Sequence, residues 1–132
     1  MPADSDRADS PERWIEYARA DLAIARAPLP PGALYEHLCF HAQQACEKSL
    51  KAVLLHLEID FPFTHDIQAL MDLLPDQMAR APELAAAADL TPFAVAARYP
   101  GEGEPVTGEE YREAVKVAEA IMAWAESVVR RT

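Results

Sequence analysis

From Tyr35 to Leu57 the apolar residues Tyr35, Cys39, Ala42, Cys46, Leu50, Val53 and Leu57 recur at steps of three and four. Wound as an α-helix, they occupy one ridge about 80° wide. A strand would scatter them over both faces, so this run must be a helix with one side in a core. The spacing predicts a helix over residues 33–57. Measured from Cys39, His37, His41, Gln44, Lys48 and Lys51 fall between about 120° and 200°, nearly opposite the ridge. That second stripe contains no acid, although Asp and Glu number 22 against 12 Lys and Arg, and the net charge is -10.

The rest of the chain supports a helical fold. Its 132 residues suffice for one domain with its own core, and only 4 are glycine. Ser10-Pro11-Glu12 is a helix start, with a hydroxyl cap, proline at the first position and an early acid. Trp14, Ile15, Ala18, Leu22 and Ala25 then share a face, with Asp21 at its edge as a polar partner for a neighbouring helix. The segment "APLPPG" ends that helix, and "DFPFT" breaks the chain after Glu58. Thr64 is the expected cap of a third helix running to Leu74, with His65 at its first position and Asp66 in its first turn. An alanine-rich helix is expected over 82–90, then irregular chain around Phe93, Val95 and Tyr99. Thr107-Gly108-Glu109-Glu110 is a capping box for the last helix. The expected architecture is all-α, an antiparallel up-and-down bundle of four to five helices over 11–131, with residues 1–10 a disordered N-terminus.

Several function classes are disfavoured. The acidic balance argues against indiscriminate nucleic-acid binding, which needs a basic footprint. No apolar run approaches the roughly 20 residues that cross a bilayer, and no secretory segment opens the chain, so it reads as soluble and cytoplasmic. Cys39 and Cys46, about 10 Å apart along one helix, are too distant for a disulfide and lie on the core ridge as small hydrophobes. No metal is expected, because His37 and His41 lack a third ligand nearby.

Three constellations remain. The stripe is either a solvated face, an anion or nucleotide site, or a polar seam between subunits. His65 at a helix start either receives phosphate on free backbone N–H groups or merely covers the helix end. Arg98, before Tyr99 and Pro100, either reaches a phosphate or pins its own loop through a carboxylate.

Taken together, "RWIEYARADLAIARAPL", "YEHLCFHAQQACEKSLKAVLLH", "FTHDIQALMDLL" and "ARYPG" resemble the HEPN family (higher eukaryotes and prokaryotes nucleotide-binding domain). The resemblance spans roughly residues 12–130. It matches the family's motif positions to His41, Gln44, Glu47, Lys48, Lys51, Thr64, His65, Asp66, Arg98, Tyr99 and Pro100. It implies a homodimeric bundle, a nucleotide or RNA ligand, and pairing with a minimal nucleotidyltransferase in a toxin–antitoxin-type system. Many members are metal-independent ribonucleases that use an Arg followed after four to six residues by His. None of His37, His41, His56 and His65 has such an Arg before it. The expectation is therefore a binding and interaction module with no catalytic set or cofactor beyond a nucleotide ligand. The alternative is a ribonuclease toxin using His41, His65 and Arg98.

Overall fold

The computed structural model describes residues 10–94 and 105–130, and every regular element among them is helical. Helix α1 is Pro11–Arg26, α2 is Tyr35–His56, α3 is Ile67–Met71, α4 is Asp76–Ala79, and α5 is Gly108–Arg130. Two 3-10 segments, Pro82–Leu84 and Ala87–Ala94, lie between α4 and α5. They stand where a continuous helix over 82–90 was expected. The second of them runs on past residue 90 and takes in Pro92, which a regular α-helix interior would not accommodate.

The helix ends follow local chemistry. Ser10 Oγ accepts from the Arg13 amide at 3.1 Å and opens α1. Gly32, at φ +83°, turns the chain toward α2 in a conformation only glycine adopts cheaply. At the end of α2 the Ile59 amide reaches the Leu54 carbonyl at 2.9 Å and the Glu58 amide the Leu55 carbonyl at 3.0 Å. That is a Schellman ending, with Glu58 at φ +60° in the place glycine usually takes. At α5, Thr107 N–H donates to Glu110 Oε1 at 2.9 Å and Glu110 N–H to Thr107 Oγ1 at 3.0 Å, the reciprocal box expected there.

The start of α3 departs from expectation. Asp66, not Thr64, is its cap, accepting from the Gln68 and Ala69 amides at 3.0 and 3.3 Å. Thr64 Oγ1 instead accepts from the Asp66 amide at 3.1 Å, so it braces the turn before the cap. His65 therefore precedes the helix, and α3 stops at Met71, short of Leu74.

Helix α2 is the centre of the bundle, packed against α1, α3, α5 and the second 3-10 segment. Trp14 of α1 meets Lys51 of α2 while Asp21 meets His41, so α1 and α2 are antiparallel. Arg19 pairs with Glu126 and Arg26 with Glu119, so α1 and α5 are antiparallel too. It follows that α2 and α5 run in the same direction, because the short elements between them carry the chain back. Their first turns meet where Tyr35 and Tyr111 stack at 5.1 Å. Cys39, Cys46, Leu50 and Val53 are fully enclosed in the same core as Ala114, Ala118, Ile121, Ala125 and Val128 of α5. No helix among the described residues is long and apolar enough to cross a membrane.

Candidate functional site

The stripe opposite the thiol ridge is largely covered: Gln44 and Lys51 are buried, His41 and Lys48 are half-buried, and only His37 at its start is exposed. Helix α1 and the loop before α3 cover it, and acids outside the stripe enter its line of cations. Glu47, beside Gln44 and Lys51, is buried too. The periodicity of α2 found one core face, whereas the fold encloses the helix on a second side as well. Two hydrogen-bonded networks result, each built from one carboxylate, one histidine and one lysine.

The first centres on Asp21, delivered by α1 and itself only 7% exposed. Its Oδ1 lies 2.9 Å from His41 Nδ1, and its Oδ2 accepts from Lys48 Nζ at 2.5 Å. Lys48 also approaches the face of Tyr17, 5.8 Å from the ring centroid, and Arg13 covers the same ring at 4.8 Å. The order Trp14, Tyr17, Asp21 along α1 sets these groups at helical steps that meet α2 in reverse order. Here the edge acid Asp21 is the polar partner its position predicts.

The second network centres on Glu47, only 3% exposed. Glu47 Oε2 accepts from Lys51 Nζ at 2.9 Å, and Oε1 lies 2.8 Å from His65 Nδ1. Gln43 and Gln44 each extend a side-chain N–H toward Oε1 at 3.4 Å. The two amides are joined to each other at 2.7 Å, and Gln43 Nε2 also donates to the His65 carbonyl at 3.1 Å. The Lys51 ammonium is ringed by Trp14, Phe61 and Phe63, at 5.5, 5.8 and 5.8 Å from their centroids. Burying a charge is costly unless it is paired and hydrogen-bonded, and this carboxylate meets both conditions. The aromatic faces supply the remaining environment that an ammonium tolerates.

The other expected site residues have plainer roles. His37 Nδ1 lies 3.3 Å from the Leu34 amide and carbonyl at the start of α2, away from both networks. Asp66 caps α3. Arg98, Tyr99 and Pro100 lie outside the described residues. The two thiols belong to the core, and burial pushes Cys46 well above its ordinary value, which leaves it unreactive. Sequence reasoning missed Gln43, Tyr17, Phe61 and Phe63. A usable signal existed for the last pair, because two phenylalanines flank a proline in "DFPFT"; Phe61 packs against the core and Phe63 stands out from it.

Chemically the two networks share one device. A carboxylate holds each imidazole at Nδ1, so the other ring nitrogen, Nε2, is left for a different partner. The side chain of His41 is 30% exposed and that of His65 is 53% exposed, so both rings reach the surface. Among the described residues no arginine hydrogen-bonds into either network.

Comparison with known proteins gives the frame. The family model for the HEPN domain matches residues 11–128. The crystal structure of ST0689, an archaeal HEPN homologue, superposes with a TM-score of 0.71 at 29% identity, covering 92% of this chain and 98% of that one. No curated protein matches. A match over almost the whole bundle, carried by the same helices that hold both networks, places this chain in the HEPN domain family.

Proposed function

We propose that the protein is a non-catalytic binding module that takes a nucleotide on the exposed rim of the α1–α2 seam. In this reading it works as a homodimer, paired with a nucleotidyltransferase-type partner in a toxin–antitoxin-type system. The observation that carries the nucleotide part is the pair of carboxylate-held imidazoles, Asp21–His41 and Glu47–His65, whose rings both reach the surface, His41 sharing its carboxylate with Lys48. In a chain of net charge -10, this seam balances its acids internally and leaves two imidazoles reaching the surface, with Lys48 partly exposed between α1 and α2. Gln44, Glu47 and Lys51 act from inside as supports, and His41, Lys48 and His65 are the contacting groups. The partner and the dimer rest on family membership alone.

Titration with ATP and UMP tests the nucleotide part. The intact protein is expected to bind more tightly than a His41→Ala/Lys48→Ala variant, and equal affinities would remove the reading. Affinity purification from the native cell tests the partner, with a co-purifying nucleotidyltransferase as the expected result.

A second reading, a ribonuclease toxin, is favoured by the Glu47–His65 dyad, since a carboxylate-held imidazole is the usual form of a general base. Growth arrest on expression that disappears in His65→Ala and in Arg98→Ala would establish it in place of the first.

A further inference from the structure

Phe63 is 94% exposed, far more than any other large apolar residue among those described. A side chain so displayed usually belongs to a loose loop or to a wider apolar patch. Neither holds here. The loop beneath it is fastened to the centre of the bundle: the His65 carbonyl accepts from buried Gln43, and the His65 ring is bonded to buried Glu47. Pro62 stiffens the chain directly before it. The other exposed apolar residues are Tyr17, Ile24 and Leu34, and Ile24 and Leu34 lie toward the opposite end of the α1–α2 hairpin. Phe63 is thus the exposed outermost member of the aromatic group around Lys51, and an internal scaffold holds its loop in place.

Its surroundings are specific. The His65 ring stands 5.9 Å away at an interplanar angle of 71°, so the two form an open corner. The Lys51 ammonium lies over the Phe63 ring at 5.8 Å. That cation draws π density toward the protein and leaves the outer face of the ring electron-poor, which suits stacking by an electron-rich aromatic. The imidazole edge of the corner supplies a hydrogen-bonding nitrogen, because Nδ1 is already taken by Glu47.

From this geometry we infer that Phe63 is a nucleobase-stacking platform, with His65 contacting the polar edge or phosphate of the same nucleoside monophosphate unit. The unit is either a free nucleotide or one residue of a single-stranded RNA. Base–aromatic stacking uses an aromatic ring displayed at the surface beside cationic groups, and it tolerates any base. The inference deepens the nucleotide reading above and rests on it, adding a residue and a subsite that the cationic stripe does not contain.

The test measures affinity for AMP, UMP and a single-stranded RNA octamer in the full-length protein and in Phe63→Ala, Phe63→Leu, Phe63→Trp and His65→Ala. Because Phe63 is almost wholly exposed, none of its substitutions removes core packing, and circular dichroism checks that each variant folds. Phe63→Ala is expected to weaken binding by roughly 5- to 100-fold, the range that loss of one stacked base produces. Phe63→Trp should restore or exceed the original affinity, and Phe63→Leu should not. A loss confined to the octamer identifies RNA as the source of the unit, and a loss for all three ligands identifies the free nucleotide. Unchanged affinity in Phe63→Ala overturns the platform, and if His41→Ala/Lys48→Ala still weakens binding, the broader nucleotide reading survives that failure. Full rescue by Phe63→Leu, or loss of a protein partner with nucleotide affinity intact, also overturns it and makes Phe63 an apolar anchor for another protein.

Discussion

Helix α2 has two contrasting sides. Toward α5 it packs through thiols and aliphatic groups, Cys39, Cys46, Leu50 and Val53, in one core with Ala118, Ile121 and Ala125. Toward α1 and the loop before α3 it packs through Asp21, Glu47, Lys48, Lys51 and two histidines. The first side holds by excluding water, at about 25 cal/mol per Å² of apolar surface. The second gains little net stability from its charges, since desolvation offsets most of their attraction. What it gains is definition: the buried Asp21, Gln43, Gln44, Glu47 and Lys51 side chains each have a fixed partner, and the rings of His41 and His65 have fixed orientations. One helix thus carries a side that holds the fold and a side that aims functional groups.

Substitutions on each side put that contrast to the test. The largest loss is expected for Glu47→Ala, which strands Lys51 in an aromatic enclosure without its counter-ion and should cost about 3–5 kcal/mol in denaturant titration. A combined Glu47→Leu/Lys51→Met variant should recover most of that loss, with the histidine no longer held. Continued instability in the double variant would show that the charges themselves stabilise this side. On the apolar side, Ile121→Ala removes a fully enclosed side chain and should cost about 3 kcal/mol. A cost below that of the partly screened Asp21 pair would contradict the division of labour.

Asp21→Asn keeps the shape but withdraws the charge shared by His41 and Lys48, which retain some exposure. About 1–2 kcal/mol is expected from thermal melts, together with weaker nucleotide binding. Stability lost with affinity unchanged would make that network purely structural. The smallest effect should come from Arg26→Ala, which opens a half-exposed pair with Glu119. Under about 1 kcal/mol is expected, and a larger value would mean that the α1–α5 seam also relies on charge.

The sequence exposed these two sides unequally. The Cys39–Leu50 ridge, the Ser10 cap, the Thr107–Glu110 box and Asp21 as a helix-edge partner were all legible, because each is a signal carried within a few residues. The burial of Gln43, Gln44, Glu47 and Lys51 was not, since periodicity reports how a helix is greased and says nothing of a second neighbour that covers its polar flank. That neighbour, the loop through Phe61, Phe63 and His65, has no repeating pattern and is placed only by tertiary contact. The start of α3 was misread for a related reason. Thr64 and Asp66 are both good caps, and the choice between them depends on His65 being pulled back toward Glu47. Arg98 and Tyr99 lie outside the described residues, so their part in the resemblance has no structural counterpart.

One hydrogen bond has a consequence for how the molecule assembles. The Tyr111 hydroxyl donates to the Ala25 carbonyl, joining residues 86 positions apart. A ribosome releases α1 and α2 long before it has made Tyr111, so the growing chain can close its first hairpin while the thiol ridge waits uncovered. The final helix then acts as a late-arriving lid for that hairpin, and until it docks the nascent protein is a natural client for chaperones.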